Sequence, residues 1–253
     1  MSWVNPVKRK LLAGEPVIAM TITVSSLDIA AHAARLGFDF LWIEMEHSPI
    51  TLETLRNMVL ATRGLPALPF ARVPVNEVWT AKRVLDAGVH GVIFPFTSTP
   101  ELARQAVAAC RYPPAGCRGS GAGLATFCWP SPEDYTDSAD ENVVVIAIIE
   151  EAKAVDRIDE IAATPGLDAL FIGTSDLSFS LGLRGDQKHP RLHEAIAKVA
   201  EAGKRHGKAM GRPGGSAEQI AQYREQGFLL FQATTDIRLM EAGAKQFLGS
   251  VSR

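Results

Sequence analysis

The segment NVVVIAIIE, residues 142–150, decides the fold: an unbroken apolar run rich in β-branched residues that stops on a carboxylate. Apolar residues at every position, rather than at alternate ones, mark a strand buried on both faces, as in a parallel sheet covered by helices. Working outward, runs of the same kind recur at PVIAMTITV (16–24), FDFLWIEM (38–45), ALPFARV (67–73), HGVIFPF (90–96), ALFIGTS (169–175), KAMGR (208–212) and FLLFQAT (228–234). Between them lie amphipathic stretches such as SLDIAAHAARLG, with Ser26 placed to cap a helix, and STPELARQAVAACR, with Pro100 in its first turn. Gly37, Gly64, Gly88 and Gly227 fall where such helices stop. Eight strand–helix alternations predict an α/β protein built as a single (β/α)8 TIM barrel over residues 1–253, rather than an open doubly wound sheet.

Composition narrows the function. At 253 residues and 47% hydrophobic content the chain can bury one large core. A net charge of −2 and the lack of any basic run give no reason to expect nucleic acid or an anionic membrane as partner. No apolar stretch approaches the roughly 18 residues needed to span a bilayer. The N-terminal MSWVNPVKRKLLAGEP does not read as a secretory signal, and Cys110, Cys117 and Cys128 read as free thiols, so a cytoplasmic setting is expected.

Four charged residues stand where predicted strands end: His47, Arg72, Glu150 and Asp176. In a parallel β/α fold these ends converge on the C-terminal rim, where such folds keep their chemistry. Glu150 and Asp176 follow apolar strands, and a hard divalent cation would offset the cost of burying them; pairing with Arg or Lys in solvent is the alternative. His47 can move protons near neutrality or serve structurally, and Glu44, three residues earlier, could orient its ring. Arg72 needs an anion, either an internal carboxylate such as Glu46 or a substrate oxygen that becomes negative during reaction. Glu151 would point away from Glu150.

Other features carry less. Gly119-Ser120-Gly121-Ala122-Gly123 follows no strand and opens no clear helix, unlike a phosphate loop. His189 and His193 read as a solvated helix start, with Pro190 at its first position. The cysteines lack zinc spacing. Lys208 opens its strand at the end away from the rim. Two long connections break the rhythm, residues 111–141 and 181–192. The first is expected on the catalytic rim as a lid or a subunit contact.

The segments GFDFLWIEMEHSP, VLDAGVHGVIFPFTSTPELARQAVAACRYPPAGCRGSG and GLDALFIGTSDLSFSLG, followed by HP, resemble the HpcH/HpaI aldolase family of metal-dependent pyruvate-type aldolases, from the first strand to the last helix. The resemblance implies that Glu150 and Asp176 bind a divalent metal such as Mg²⁺, Mn²⁺ or Co²⁺. It implies that His47 is the catalytic base, with Glu44 as its supporting acid, and that Arg72 steadies the ketone or enolate oxygen. The backbone N–H groups of Gly173 and Ser175 would receive the substrate carboxylate. The implied reaction is reversible cleavage of a 4-hydroxy-2-oxo acid to pyruvate, or a related 2-oxo acid, plus an aldehyde. It further implies a homo-oligomer, a hexamer with C-terminal helices exchanged between subunits. The chain departs from the family pattern at Ile148, where many members have glutamine, at Thr21, where tryptophan is common, and at Glu44, commonly aspartate. An acyl-CoA ester lyase and a catalytically silent oxo-acid-binding barrel are the alternatives. No basic cluster suits CoA, and a silent barrel needs none of the four charged residues.

Overall fold

The structure is a computed structural model and describes residues 3–130, 133 and 135–251. Eight parallel strands form a closed barrel in sequence order: β1 (Val17–Ile22), β2 (Phe40–Glu44), β3 (Leu68–Arg72), β4 (Gly91–Phe94), β5 (Val144–Ile149), β6 (Ala169–Ile172), β7 (Ala209–Pro213) and β8 (Leu230–Thr235). Each lies inside a run anticipated from the sequence, except that β7 and β8 continue one residue further. Ser26, Thr51 and Thr99 cap helices by accepting a backbone N–H bond through their side chains.

Residues alternate between two cores because successive side chains of a strand point to opposite faces. The outer layer, between sheet and helices, takes Ile22, Leu41, Ile43, Val145, Ala147, Ile149, Leu170 and Ile172. The barrel interior takes Ala19, Phe40, Trp42, Phe70, Ile93, Ile146, Ile148, Phe171 and Leu230. Large rings fill this interior because glycines on the neighbouring strands make room for them. A Cβ on Gly91 would lie 2.5 Å from the Phe70 ring, and one on Gly211 would lie 2.7 Å from that of Phe171.

The helix Pro6–Leu12 closes the N-terminal end of the barrel, adding Val7 and Leu11 to the interior core. Its cap, Asn5, donates from its side chain to the carbonyls of His90 and Asn142.

The connection 111–141 does not lie on the catalytic rim. It follows the helix Pro100–Ala109 rather than a strand, so the chain has already returned to the opposite end of the barrel. There Trp129 stacks on His90, just before β4, with Trp3 and Tyr135 edge-on. The other long connection, after the short helix Thr174–Ser180, does reach the rim.

Candidate active site

The alternation that fills the barrel also builds the site. Continuing the inward-facing positions by two residues takes Trp42 to Glu44, Phe70 to Arg72, Ile148 to Glu150, Phe171 to Gly173 and Leu230 to Gln232. The polar residues are thus the top layer of the interior, and a sequence apolar at every position conceals which parity they share. Above them opens a cavity of about 440 Å³, lined by His47, Arg72, Ile148, Glu150, Asp176 and Gln232 among others. That volume suits a small molecule.

Arg72 lines the cavity and is only 8% exposed. Glu44 is its lateral neighbour across the β2–β3 pairing. Their side chains meet at 3.3 Å, Nη1 to Oε2. Glu46 Oε2 lies 2.5 Å from Nη2, and Glu150 Oε2 lies 3.7 Å away. One guanidinium therefore faces three carboxylates. Its Nε is buried and has no hydrogen-bond partner among the described residues.

Glu150 is almost fully buried, at 1% exposed, and accepts the Phe96 N–H at 2.7 Å through Oε1. Phe96 reaches this position with φ +45°, a left-handed conformation costly for a bulky residue and found where function over-determines the backbone. Burial, only partly opposed by that bond and by Arg72, raises the Glu150 pKa to about 7. Burial likewise raises Glu46 to about 7, with Glu44 and Asp176 adding to the effect. Asp176 is half-buried in the first turn of Thr174–Ser180. Glu151 points away, to Ser98 and Lys153, as its position implied.

Two expected roles change. Glu44 does not reach the imidazole: its Oε1 accepts the backbone N–H groups of Glu46 and His47 at 2.8 and 3.1 Å, and its Oε2 accepts from Trp42 and Arg72. The carboxylate beside the ring is Glu46, whose Oε1 lies 3.7 Å from His47 Nε2. Gly173 cannot offer its N–H to a substrate, because that group already donates to the Ile149 carbonyl as the β5–β6 ladder continues. Its contribution is space: a Cβ there would sit 2.8 Å from Glu150 Oε2. Ser175 is exposed in the first helical turn, where backbone N–H groups lack intrahelical partners.

Gln187 and Gln232 also line the cavity and carried no signal in the sequence. Gln232 Nε2 donates to Thr21 Oγ1 at 2.9 Å, so the departure at Thr21 has a partner across β1 and β8. Ile148 puts an apolar wall where the resemblance implied an amide.

The donor set fits a divalent cation. Three carboxylates surround a single arginine, two of them held protonatable near neutrality by burial, with Asp176 lining the same cavity, and the glycine cradle leaves Glu150 Oε2 uncrowded. Among the described residues no group of three or more His, Cys, Asp or Glu is arranged to hold a metal ion. Glu150 and Asp176 both line the cavity.

Such a rim suits an enzyme acting on a small molecule, and comparison with known proteins gives the chain a family. A model described as HpcH/HpaI aldolase/citrate lyase matches residues 18–242. A hydroxypyruvate/pyruvate aldolase of Paraburkholderia phytofirmans is 34% identical, across 99% of this chain and 98% of its own. A 5-keto-4-deoxy-D-glucarate aldolase of Salmonella arizonae is also 34% identical, across 90% and 87%. Among solved structures, an HpcH/HpaI aldolase/citrate lyase family protein from Burkholderia cenocepacia superimposes with a TM-score of 0.89 at 36% identity, covering 97% and 98% of the two chains. The chain belongs to the HpcH/HpaI aldolase/citrate lyase family. Within it, this protein is an aldolase, a carbon–carbon lyase.

Proposed function

We propose that the chain cleaves 4-hydroxy-2-oxo acids reversibly to pyruvate, or a related 2-oxo acid, and an aldehyde. The observation that carries this reading is the charge imbalance at the rim: one arginine among Glu44, Glu46 and Glu150, beside a cavity of small-molecule size. Glu150 and Asp176 would hold the cation, Mg²⁺, Mn²⁺ or Co²⁺. When bound, it supplies Lewis-acid polarisation of the 2-oxo acid and offsets the carboxylate charge.

The chain's own residues do the rest. In the cleavage direction His47 accepts the proton of the 4-hydroxyl, directly or through one water. The C3–C4 bond breaks, the aldehyde leaves, and the electron pair passes to the C2 oxygen. Arg72, which lines the cavity, stabilises that oxygen with its guanidinium charge. The Ser175 N–H receives the carboxylate. His47 then returns its proton to C3, completing pyruvate. A lyase of CoA esters is less well supported, because Arg72 is the sole Lys or Arg among the described residues lining the cavity.

The C-terminal helix Asp236–Gly249 supports an oligomer. Met240 and Phe247 are 68% and 70% exposed, and Asp236 is its single buried residue. We read this apolar surface as exchanged between subunits of a hexamer. Light scattering should give the mass of six chains; a monomer would overturn that reading. No helix among the described residues is long and apolar enough to cross a membrane, and all three cysteines are free, in keeping with a cytoplasmic enzyme.

The test is pyruvate release from a racemic 4-hydroxy-2-oxo acid by EDTA-stripped protein, then with each metal restored. Metal-dependent release that collapses in Glu150→Ala and His47→Ala is expected. Release that survives EDTA overturns the metal assignment, and no release with any metal overturns the substrate class.

A further inference from the structure

We propose that Glu46 is a positioning residue for both His47 and Arg72, with one carboxylate oxygen for each; the inference rests on reading those two as base and oxyanion donor. Its two oxygens point to different partners, Oε2 to Arg72 Nη2 at 2.5 Å and Oε1 toward His47 Nε2 at 3.7 Å. Glu46 can do this because the turn beneath it is pinned. Glu44 holds the N–H groups of Glu46 and His47, and Ser48 Oγ–H donates to the Glu44 carbonyl.

The contrast in exposure fits the role. The Glu46 side chain is 10% exposed and that of His47 is 61% exposed, so the carboxylate is fixed and the imidazole is free to turn against it. The 3.7 Å gap is longer than a hydrogen bond, as is common in substrate-free sites, where catalytic bonds tighten on binding. With Nε2 turned to Glu46, Nδ1 is left to take the proton. The imidazolium formed then faces a carboxylate, as a base needs when its proton must be held and returned.

Around this pair stand Glu44 on β2, Arg72 on β3, Glu150 after β5 and Asp176 after β6. Of these four, Arg72 is the cation, and Glu46 makes the shortest contact to it. Removing the Glu46 charge would free the guanidinium to swing toward Glu44 or Glu150 and away from the substrate.

The experiment reads proton transfer alone: exchange of the pyruvate C3 protons for deuterium, followed by NMR on the Mg²⁺-loaded protein, with Mn²⁺ affinity measured by calorimetry. Glu46→Gln should slow exchange about 10–100-fold, a fraction of what a general base contributes. The KM for pyruvate and the Mn²⁺ affinity should stay within about threefold. Glu46→Asp, which keeps the charge, should recover part of the rate. Glu46→Gln added to His47→Ala should cost less than it does alone, leaving only the part that acts through Arg72, because a residue acting through another is not additive with it.

Wild-type exchange in Glu46→Gln, with exchange abolished in His47→Ala, overturns the Glu46 role and leaves the base standing. Exchange intact in His47→Ala overturns the base assignment and this inference together. A loss of Mn²⁺ affinity in Glu46→Gln matching the loss of rate would instead make Glu46 a metal ligand, and overturn it as well.

Discussion

The two ends of the barrel take ionisable groups out of water by the same physics and to opposite effect. At the C-terminal rim, burial pushes Glu46 and Glu150 up to about 7, beneath an open cavity and with negative charge in excess. At the N-terminal end, burial pushes His90 down to about 3, stacked against Trp129. Neither His90 ring nitrogen has a hydrogen-bond partner among the described residues. Desolvation alone therefore does not mark a site. The rim is distinguished by charge that the protein leaves unbalanced, while the other end holds a neutral imidazole packed among aromatic rings.

The largest expected effect separates these ends. Glu150→Gln should lower kcat/KM by on the order of 10³-fold, the worth of several kcal/mol of metal-assisted charge stabilisation. It should leave the melting temperature of the metal-free protein unchanged or higher, since a buried charge is removed without loss of volume. A large drop in melting temperature would mean that the rim is a structural ion network.

Trp129→Ala tests the other end. Cutting this buried ring, 3% exposed, out of the cluster with Trp3, His90 and Tyr135 should cost about 3–5 kcal/mol of stability. Turnover at a temperature where the variant is folded should be unchanged. Denaturant unfolding and initial rates on the same samples check both, and a loss of kcat would show that the ends are coupled.

The pH dependence follows with opposite signs. The folded pKa of His90 lies below its unfolded value, so the unfolded chain binds the extra proton as pH falls below about 6.5. Stability is then lost at roughly 1.4 kcal/mol per pH unit toward pH 3. His90→Phe should remove that slope. The folded pKa values of Glu46 and Glu150 lie above their unfolded ones, so in metal-free protein their contribution is full below about 4.5 and is lost as pH rises toward 7. Mn²⁺ should raise the melting temperature most at the upper end of that window. A metal effect that is uniform across pH would break the assignment of the rim charge.

The sequence made the barrel legible because parallel strands buried on both faces leave long apolar runs, and eight of them with helices between admit few closures. It made the charged rim legible because a carboxylate or arginine at the end of such a run is costly. What it hid is parity. Glu44 and Glu46 flank Met45 in one short segment, and only the turn pinned by Glu44 decides that Glu46 is the carboxylate beside the imidazole. The left-handed Phe96 that aims its N–H at Glu150 has no local signature either, since the strain is held by tertiary contacts. The connection 111–141 reads as a strand-to-helix insertion only while the helix Pro100–Ala109 before it is overlooked; following that helix, it belongs to the opposite end.

The smallest effect sharpens the comparison within the rim itself. Gln232 and Ile148 face one cavity from β8 and β5, one polar and one apolar. Gln232 spends its Nε2–H on Thr21, and its Oε1 accepts no bond among the described side chains, which leaves an acceptor for a hydroxyl on the incoming aldehyde. Gln232→Leu should cut kcat/KM for glycolaldehyde as acceptor by about tenfold, one hydrogen bond's worth. It should change the value for propanal, similar in size and lacking the hydroxyl, by less than about threefold. Stability should fall by only about 1 kcal/mol, from the bond to Thr21. Equal losses on both aldehydes would mean that Gln232 shapes the wall through Thr21 rather than reading the substrate. The polar face of the cavity would then have to come from Gln187, on the loop after the Asp176 helix.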